Sequence, residues 1–348
     1  MDELLVETLE TIETSQYDGV ADFETGLPIE NSSALLRRSP DSVEFELETT
    51  LPEGTYTVWV VAFNEPEACV GDCGLDDLEI PEVKASIFWA TGEIIDNGET
   101  GLFSATVPEL TLPGEFDQVL FGDGVIDSFG SEIHLVVRSH GPAIPGLEEE
   151  QITTFNGGCP PNECIDVQFS VFPSVLESVN FDGADLSAGT IITDQFADVG
   201  LTVSTSSRHG AMLFDTNNPT GGDRDLSASD LDNVLIISED GDTTDPDDNA
   251  KGGTFTFEWD ELVGVHQVGL LDIDKPGSSI TFFDANAHEI ETIVIPDLGN
   301  NSYQELEVDV ANVARMDITL VSSGAVTNVD FIPSQDDVFP AAVDALVA

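Results

Sequence analysis

Basic side chains are nearly absent from this sequence. Three lysines (Lys84, Lys251, Lys275) and six arginines face 68 aspartates and glutamates, a formal charge of −59 over 348 residues. With no basic patch to meet phosphate, nucleic acid and insertion into an anionic membrane are excluded as modes of interaction. Long apolar runs are missing too: no stretch approaches the ~20 residues of a membrane span, and the C-terminal VFPAAVDALVA is too short for one. The opening Met1-Asp2-Glu3 is acidic and Glu7 breaks the cluster Leu4-Leu5-Val6, so no signal peptide is read there. Catalytic signatures are equally scarce. There is no Gly-x-Ser-x-Gly elbow and no Cys/His arrangement, and GGDRDL and NAKGGTF lack the Lys-Ser/Thr ending of a phosphate loop. Carboxylate pairs do not argue for glycoside hydrolysis, because among 68 acids some pair always stands at a suitable separation.

What remains is ample for folding. The hydrophobic fraction is 41%, which sets the chain apart from disordered acidic proteins, and its length allows two cores. Self-repulsion among the carboxylates opposes compaction, and molar salt shortens the screening length to about 3 Å. The surface therefore reads as adapted to salt, from a halophilic or marine prokaryote, with stability expected to climb with NaCl. The four cysteines form two close pairs, Cys69/Cys73 and Cys159/Cys164, each in a turn-rich stretch. Local disulfides in an oxidising, extracellular or cell-surface setting are expected; a four-cysteine zinc site is the competing reading.

Taken in order, residues 1–32 are polar and acidic and read as an arm or linker. Residues 33–174 carry short strand signals, such as SVEFELETT with Val43, Phe45 and Leu47 alternating against glutamates. A second β-rich run spans 178–333, and 334–348 reads as a tail. Many short strands without long amphipathic helices predict an all-β chain of two antiparallel β-sandwich domains, the second jelly-roll-like. His134 and His140 share a strand face, but ~3.3 Å per residue puts them ~20 Å apart, too far for one ion. Phe dominates the aromatics at strand positions, and Trp59, Trp89 and Trp259 also fall within strands, which speaks for core filling over a sugar-stacking platform.

The stretch from Phe214 to Phe255 is the most unusual. Ten acids lie between Asp223 and Asp248, with Arg224 the only base among them and the apolar run Val234–Ile237 crossing the middle. Asp and Asn oxygens with carbonyls turned by Gly221-Gly222 and Gly252-Gly253 suit Ca²⁺. The spacing is not that of an EF-hand, since the sixth position from Asp240 is Asp245 and the twelfth is Lys251. Candidate ligands are Asp215, Asn217, Asp223, Asp225, Asp245, Asp247, Asp248 and Asn249, with Asp182 a further one; the bland alternative is a solvated acidic loop.

Residues 178–332 resemble the β-sandwich domain of exported bacterial proteins with PEP-CTERM or choice-of-anchor sorting tails, through VNFDG…AGTIITDQFADVGLTVS, LFDTNNPTGGDRDL, NVLIISED, DPDDNAKGGTFTFEW, VGLLDID and AVTNVDF. The resemblance implies an exported, non-catalytic role and likeness to carbohydrate-binding jelly rolls. The first half resembles uncharacterised exported prokaryotic proteins through GTYTVWVVAFNEPEAC, EIHLVVRSHGPAIPG and TTFNGGCPPNEC. The leading expectation is a secreted, calcium-stabilised structural or adhesive protein that partners with itself as a homo-oligomer or polymer. A non-catalytic protein bound to surface polysaccharide comes second, and an extracellular hydrolase third.

Overall fold

The computed structural model describes residues 12–96, 100–110, 118–159, 164–183, 186–229 and 231–333. Among them the chain is almost entirely β and divides into two compact units, 13–175 and 176–333, with Ile12 joined to the second. No described helix is long and apolar enough to cross a membrane, which says nothing of strands.

The first unit holds β1 (Thr14–Asp22), β2 (Pro28–Ser39), β3 (Ser42–Thr50), β4 (Gly54–Phe63), β5 (Ser86–Ile95), β6 (Thr100–Pro108), β7 (Val119–Phe121), β8 (Glu132–Ser139) and β9 (Ile165–Phe172), with one short helix α1 (Glu148–Thr153). They form one antiparallel sheet in the order β6-β3-β2-β1-β9-β8-β4-β5-β7. The larger of the unit's two apolar clusters draws Val20, Leu36, Phe45, Val58, Phe88, Phe103, Leu135 and Phe172 from eight of its strands. Period-two alternation sets the layers, with Val43, Phe45 and Leu47 inside and Glu44, Glu46 and Glu48 outside. In β4 every position is buried, as its continuous apolar run implies. Residues 14–32, expected as an arm, are strand β1 and the start of β2. Their alternation is masked by polar residues, and the pairing of β1 with β9 supplies the hydrogen bonds that propensity alone does not reveal. Residues 1–11 and the tail from 334 lie outside the described residues.

The second unit holds β10 (Glu177–Val179), β11 (Ile191–Ile192), β12 (Leu201–Thr205), β13 (Ala211–Asp215), β14 (Asn233–Ile237), β15 (Gly253–Leu271), β16 (Ser279–Phe283), β17 (Glu289–Val294), β18 (Tyr303–Leu320) and β19 (Ala325–Ile332). The main path is β11-β13-β14-β19-β15-β18-β16-β17, with β10 on β19 and β12 on β15. GTFTFEWD and VGVHQVGLL lie on one 19-residue strand, and YQELEVDV and ARMDITL lie together on another of 18 residues. Register shifts between Glu258 and Gln267, with left-handed Asp309 and Asn312 opposite, bend the pair at its middle. Gly264 is the one glycine within the shifted stretch, and no Pro accompanies it, so the bend reads weakly in the sequence.

Candidate metal centre and ligand pocket

The acidic stretch is two loops around a buried strand. β14 pairs with β13 and β19, and Val234–Ile237 are all buried. The loop after β13 folds across the outer face of this pair because Leu226, fully buried, packs on Met212, Phe214, Val234, Ile236, Leu271 and Ala325. That packing carries Asp223 to the loop after β14. There Thr220 Oγ1 donates to Pro246 O (2.8 Å), Gly221 N–H to Asp245 Oδ1 (2.9 Å), and Asp248 N–H to Asp223 Oδ2 (2.8 Å). Gly221 is required twice over. Its φ is +63°, and an added Cβ would stand 2.6 Å from Asp247 Cβ.

One carboxylate oxygen each from Asp223, Asp247 and Asp248 lies within 4.8 Å of the other two. Asp248 is 4% exposed, and its Oδ2 accepts from Gly324 N–H at 3.0 Å. Burial, then the charge of Asp223, pushes the Asp248 carboxyl up to about 8; burial and Asp223 push Asp247 up to about 6. Two unit charges at such a spacing repel by roughly 3–4 kcal/mol at an effective dielectric of 20. The cluster therefore holds a proton or takes a cation near neutral pH.

Of the nine expected ligands, the structure gathers these three. Asp225 acts through its charge on Asp248 and on Asp272. Asp245 serves Gly221. Asp182 Oδ1 accepts from both the backbone N–H and Nδ2 of Asn233, fastening the start of β14. Asp215 accepts from the N–H groups of Asn217 and Asn218, and Asn217 Nδ2 donates to Asp232. Asn249 Nδ2 donates to Gly252 O. Asp215 and Asn249 hold turns, while Asp182 and Asn217 tie segments distant in sequence. Asp272, fully buried just after β15 with φ +62°, is not among the nine expected ligands; burial raises its pKa while Asn301 N–H donates to it at 2.6 Å. Its signal was the DID that closes the apolar run VGLLDID.

A second feature lies elsewhere in the same unit. Trp259, expected as core, packs edge-on to Phe331 (5.6 Å) and also lines a pocket of about 300 Å³ with Val199, Val263 and Pro333. The indole is 7% exposed, and its buried Nε1 has no hydrogen-bond partner among the described residues, a cost of roughly 1–3 kcal/mol. Four exposed carboxylates, Glu177, Asp198, Asp260 and Glu261, complete the lining. The alternation FEWDE, aromatic inward and acid outward, was the sequence trace of this site.

In the first unit both cysteine pairs are bonded, Cys69–Cys73 and Cys159–Cys164, so the four-cysteine zinc reading does not describe this structure. His134 accompanies Glu132 (2.7 Å), and buried His140, its pKa lowered by desolvation, sits by Thr57.

Neither a family model nor a curated protein matches the chain. Solved structures similar to it include a Streptococcus pneumoniae fucose-binding module (12% identity; 44% of this chain, all of that one; TM-score 0.24). The lectin domain of lectinolysin complexed with Lewis b antigen is 9% identical over 25% of this chain and 70% of that one, with TM-score 0.21. Allantoicase from Saccharomyces cerevisiae is 8% identical over 86% of this chain and 77% of that one, with TM-score 0.23. Carbohydrate-binding modules thus recur among the neighbours, at similarities too low to carry an argument about this chain.

Proposed function

We propose that the protein is an exported, non-catalytic saccharide-binding protein whose second unit takes a terminal sugar residue beside Trp259. The observation behind this reading is the pocket's chemistry: four exposed carboxylates, Glu177, Asp198, Asp260 and Glu261, around an apolar wall of Trp259, Val199, Val263 and Phe331 in one small space. A polyol meets both, through hydroxyl protons and C–H faces. An ammonium leaves the apolar wall uncovered, and an apolar ligand strips water from the carboxylates without replacing it. About 300 Å³ is at the small end of ligand pockets and suits one ring of a glycan. Export is supported by the two disulfides. On a glycan array the full chain is expected to retain a defined set of glycans. Asp198→Asn/Glu261→Gln should weaken the best of them at least tenfold in calorimetry with an unchanged melting temperature. A blank array, or equal binding by the variant, sinks the reading.

A calcium-stabilised structural or adhesive role, with self-association, is the second reading, favoured by the burial of Asp248 against Asp223. Ca²⁺ would be held by Asp223, Asp247 and Asp248, completed by carbonyls or water, since it takes six to eight oxygens. Calorimetric titration of chelated protein with Ca²⁺ tests it, and absence of heat removes it.

A further inference from the structure

The second disulfide lies against a histidine. His140 Nδ1 is 3.3 Å from Cys164 Sγ and 4.0 Å from Cys159 Sγ, and the three side chains are 4%, 8% and partly exposed in the order His140, Cys164, Cys159. The imidazole is fixed from both nitrogens. Nδ1 faces Gly157 O at 3.0 Å, and because a carbonyl only accepts, the ring proton sits on Nδ1. Nε2 lies 2.9 Å from Thr57 Oγ1, which itself accepts from Trp59 Nε1 at 2.8 Å. The Thr57 hydroxyl proton therefore points to Nε2. The Cys69–Cys73 pair has no histidine beside it among the described residues: Cys73 Sγ approaches Pro66 O at 3.6 Å and packs among Val61, Phe63 and Val83.

We infer that reduction of Cys159–Cys164 opens a site for one soft or borderline divalent cation of the zinc class, held by Cys159, Cys164 and His140. A dithiol reductant gives two electrons and two protons, leaving two thiols here and a disulfide on itself. Metal binding then releases both thiol protons to solvent. The imidazole proton leaves Nδ1, and Nε2 gains one that it donates to Thr57 Oγ1, which has a lone pair free for it. Tetrahedral bonds of about 2.3 Å to sulfur and about 2.0–2.1 Å to nitrogen give an N···S edge of about 3.6 Å, between the two distances found. Only the S···S edge must open, to about 3.8 Å by the same bond lengths. Water or the Gly157 carbonyl takes the fourth place. Thiolate and imidazole donors select zinc-like ions, whereas the carboxylates of the second unit suit hard cations, so the two sites do not compete. The Thr57–Trp59 pair orients the ligand from behind, as outer-shell partners of metal-bound histidines do.

The test uses Co²⁺ as probe on the full chain, reduced with dithiol and desalted without air. The reduced protein is expected to show thiolate-to-cobalt charge transfer and intense tetrahedral visible bands saturating at one equivalent, both lost on adding Zn²⁺. The Cys69→Ser/Cys73→Ser variant should keep them, and Cys159→Ser/Cys164→Ser should lose them. His140→Gln should weaken Co²⁺ at least tenfold while the charge transfer persists. Oxidised protein should give only the weak octahedral bands of carboxylate-bound cobalt. Reduced protein without the charge-transfer band, or a band that survives in Cys159→Ser/Cys164→Ser, overturns the inference. Affinity unchanged in His140→Gln overturns the part assigned to histidine.

Discussion

The two units bury charge in opposite ways. Arg38, 1% exposed in the first unit, is fully answered: its guanidinium donates to Gln16 Oε1 and to the carbonyls of Ser128, Ser131, Phe172 and Pro173. Burial pulls its pKa down to about 9, so it stays a cation at neutral pH. Asp248, 4% exposed in the second unit, has a single N–H donor on its carboxylate among the described residues, and a like-charged neighbour. The first arrangement is closed by the fold itself. The second is closed only by a proton or a cation, so it alone responds to solution conditions.

The largest effect is expected where the closed arrangement is opened. Arg38→Ala strips the partner from Gln16 and four carbonyls spread over three segments, and breaking such a buried network costs about 3–5 kcal/mol. Arg38→Met, which fills the space, should recover part of this. Denaturant unfolding measures both, and a loss under 1 kcal/mol for Arg38→Ala would show that water replaces the guanidinium and that the contrast with Asp248 is empty.

Next comes the pH response of the open arrangement. The folded pKa of Asp248 lies above its unfolded value, so the folded state binds more protons and stability must fall as pH rises from about 4 to about 8 in chelated protein. Asp247 adds to the fall between about 4 and 6. Saturating Ca²⁺ at a hundredfold excess over Kd should restore about 2.7 kcal/mol at pH 8. Asp248→Asn should flatten the pH profile and abolish the Ca²⁺ response together. Melts at pH 5 and 8, with EDTA and with Ca²⁺, read all of this, and a profile unchanged in Asp248→Asn would move the effect to other acids.

The same contrast governs what could be read in the sequence. Alternation in SVEFELETT and the apolar run of β4 wrote the layers plainly, because burial on one or both faces dictates residue type. The arginine network was invisible, since backbone carbonyls from residues 128–173 leave no sequence mark. Composition marked the acidic stretch but could not say which acids meet; that depends on Leu226 folding one loop over β13 and β14. Asp215 and Asp182 look identical to Asp223 in sequence, yet the first holds a turn and the second fastens the start of β14. The pocket at Trp259 was obscured for the same reason, because a Trp flanked by acids on a strand reads as core until the neighbouring strand Phe331 and the loop at Val199 are placed.

The smallest effect is expected from the Cys69–Cys73 bond, which closes a loop of four residues' separation. The chain-entropy model gives about 2 kcal/mol as its ceiling for so short a loop. The segment is also held without the bond. Asp77 accepts from the N–H groups of Val70 and Gly74, and Val83 and Ala85 pack with Phe63 and Val61 beneath it. Cys69→Ser/Cys73→Ser should therefore cost less than that ceiling and leave the core of the first unit, pinned by Arg38, cooperative. Hydrogen exchange should show faster amides confined to residues 66–83, with no change in the second unit's response to Ca²⁺ or pH. If exchange instead quickened across β2, β8 and β9, the loop and the arginine network would be one cooperative element, and the closed arrangement would depend on redox state as the open one depends on protons.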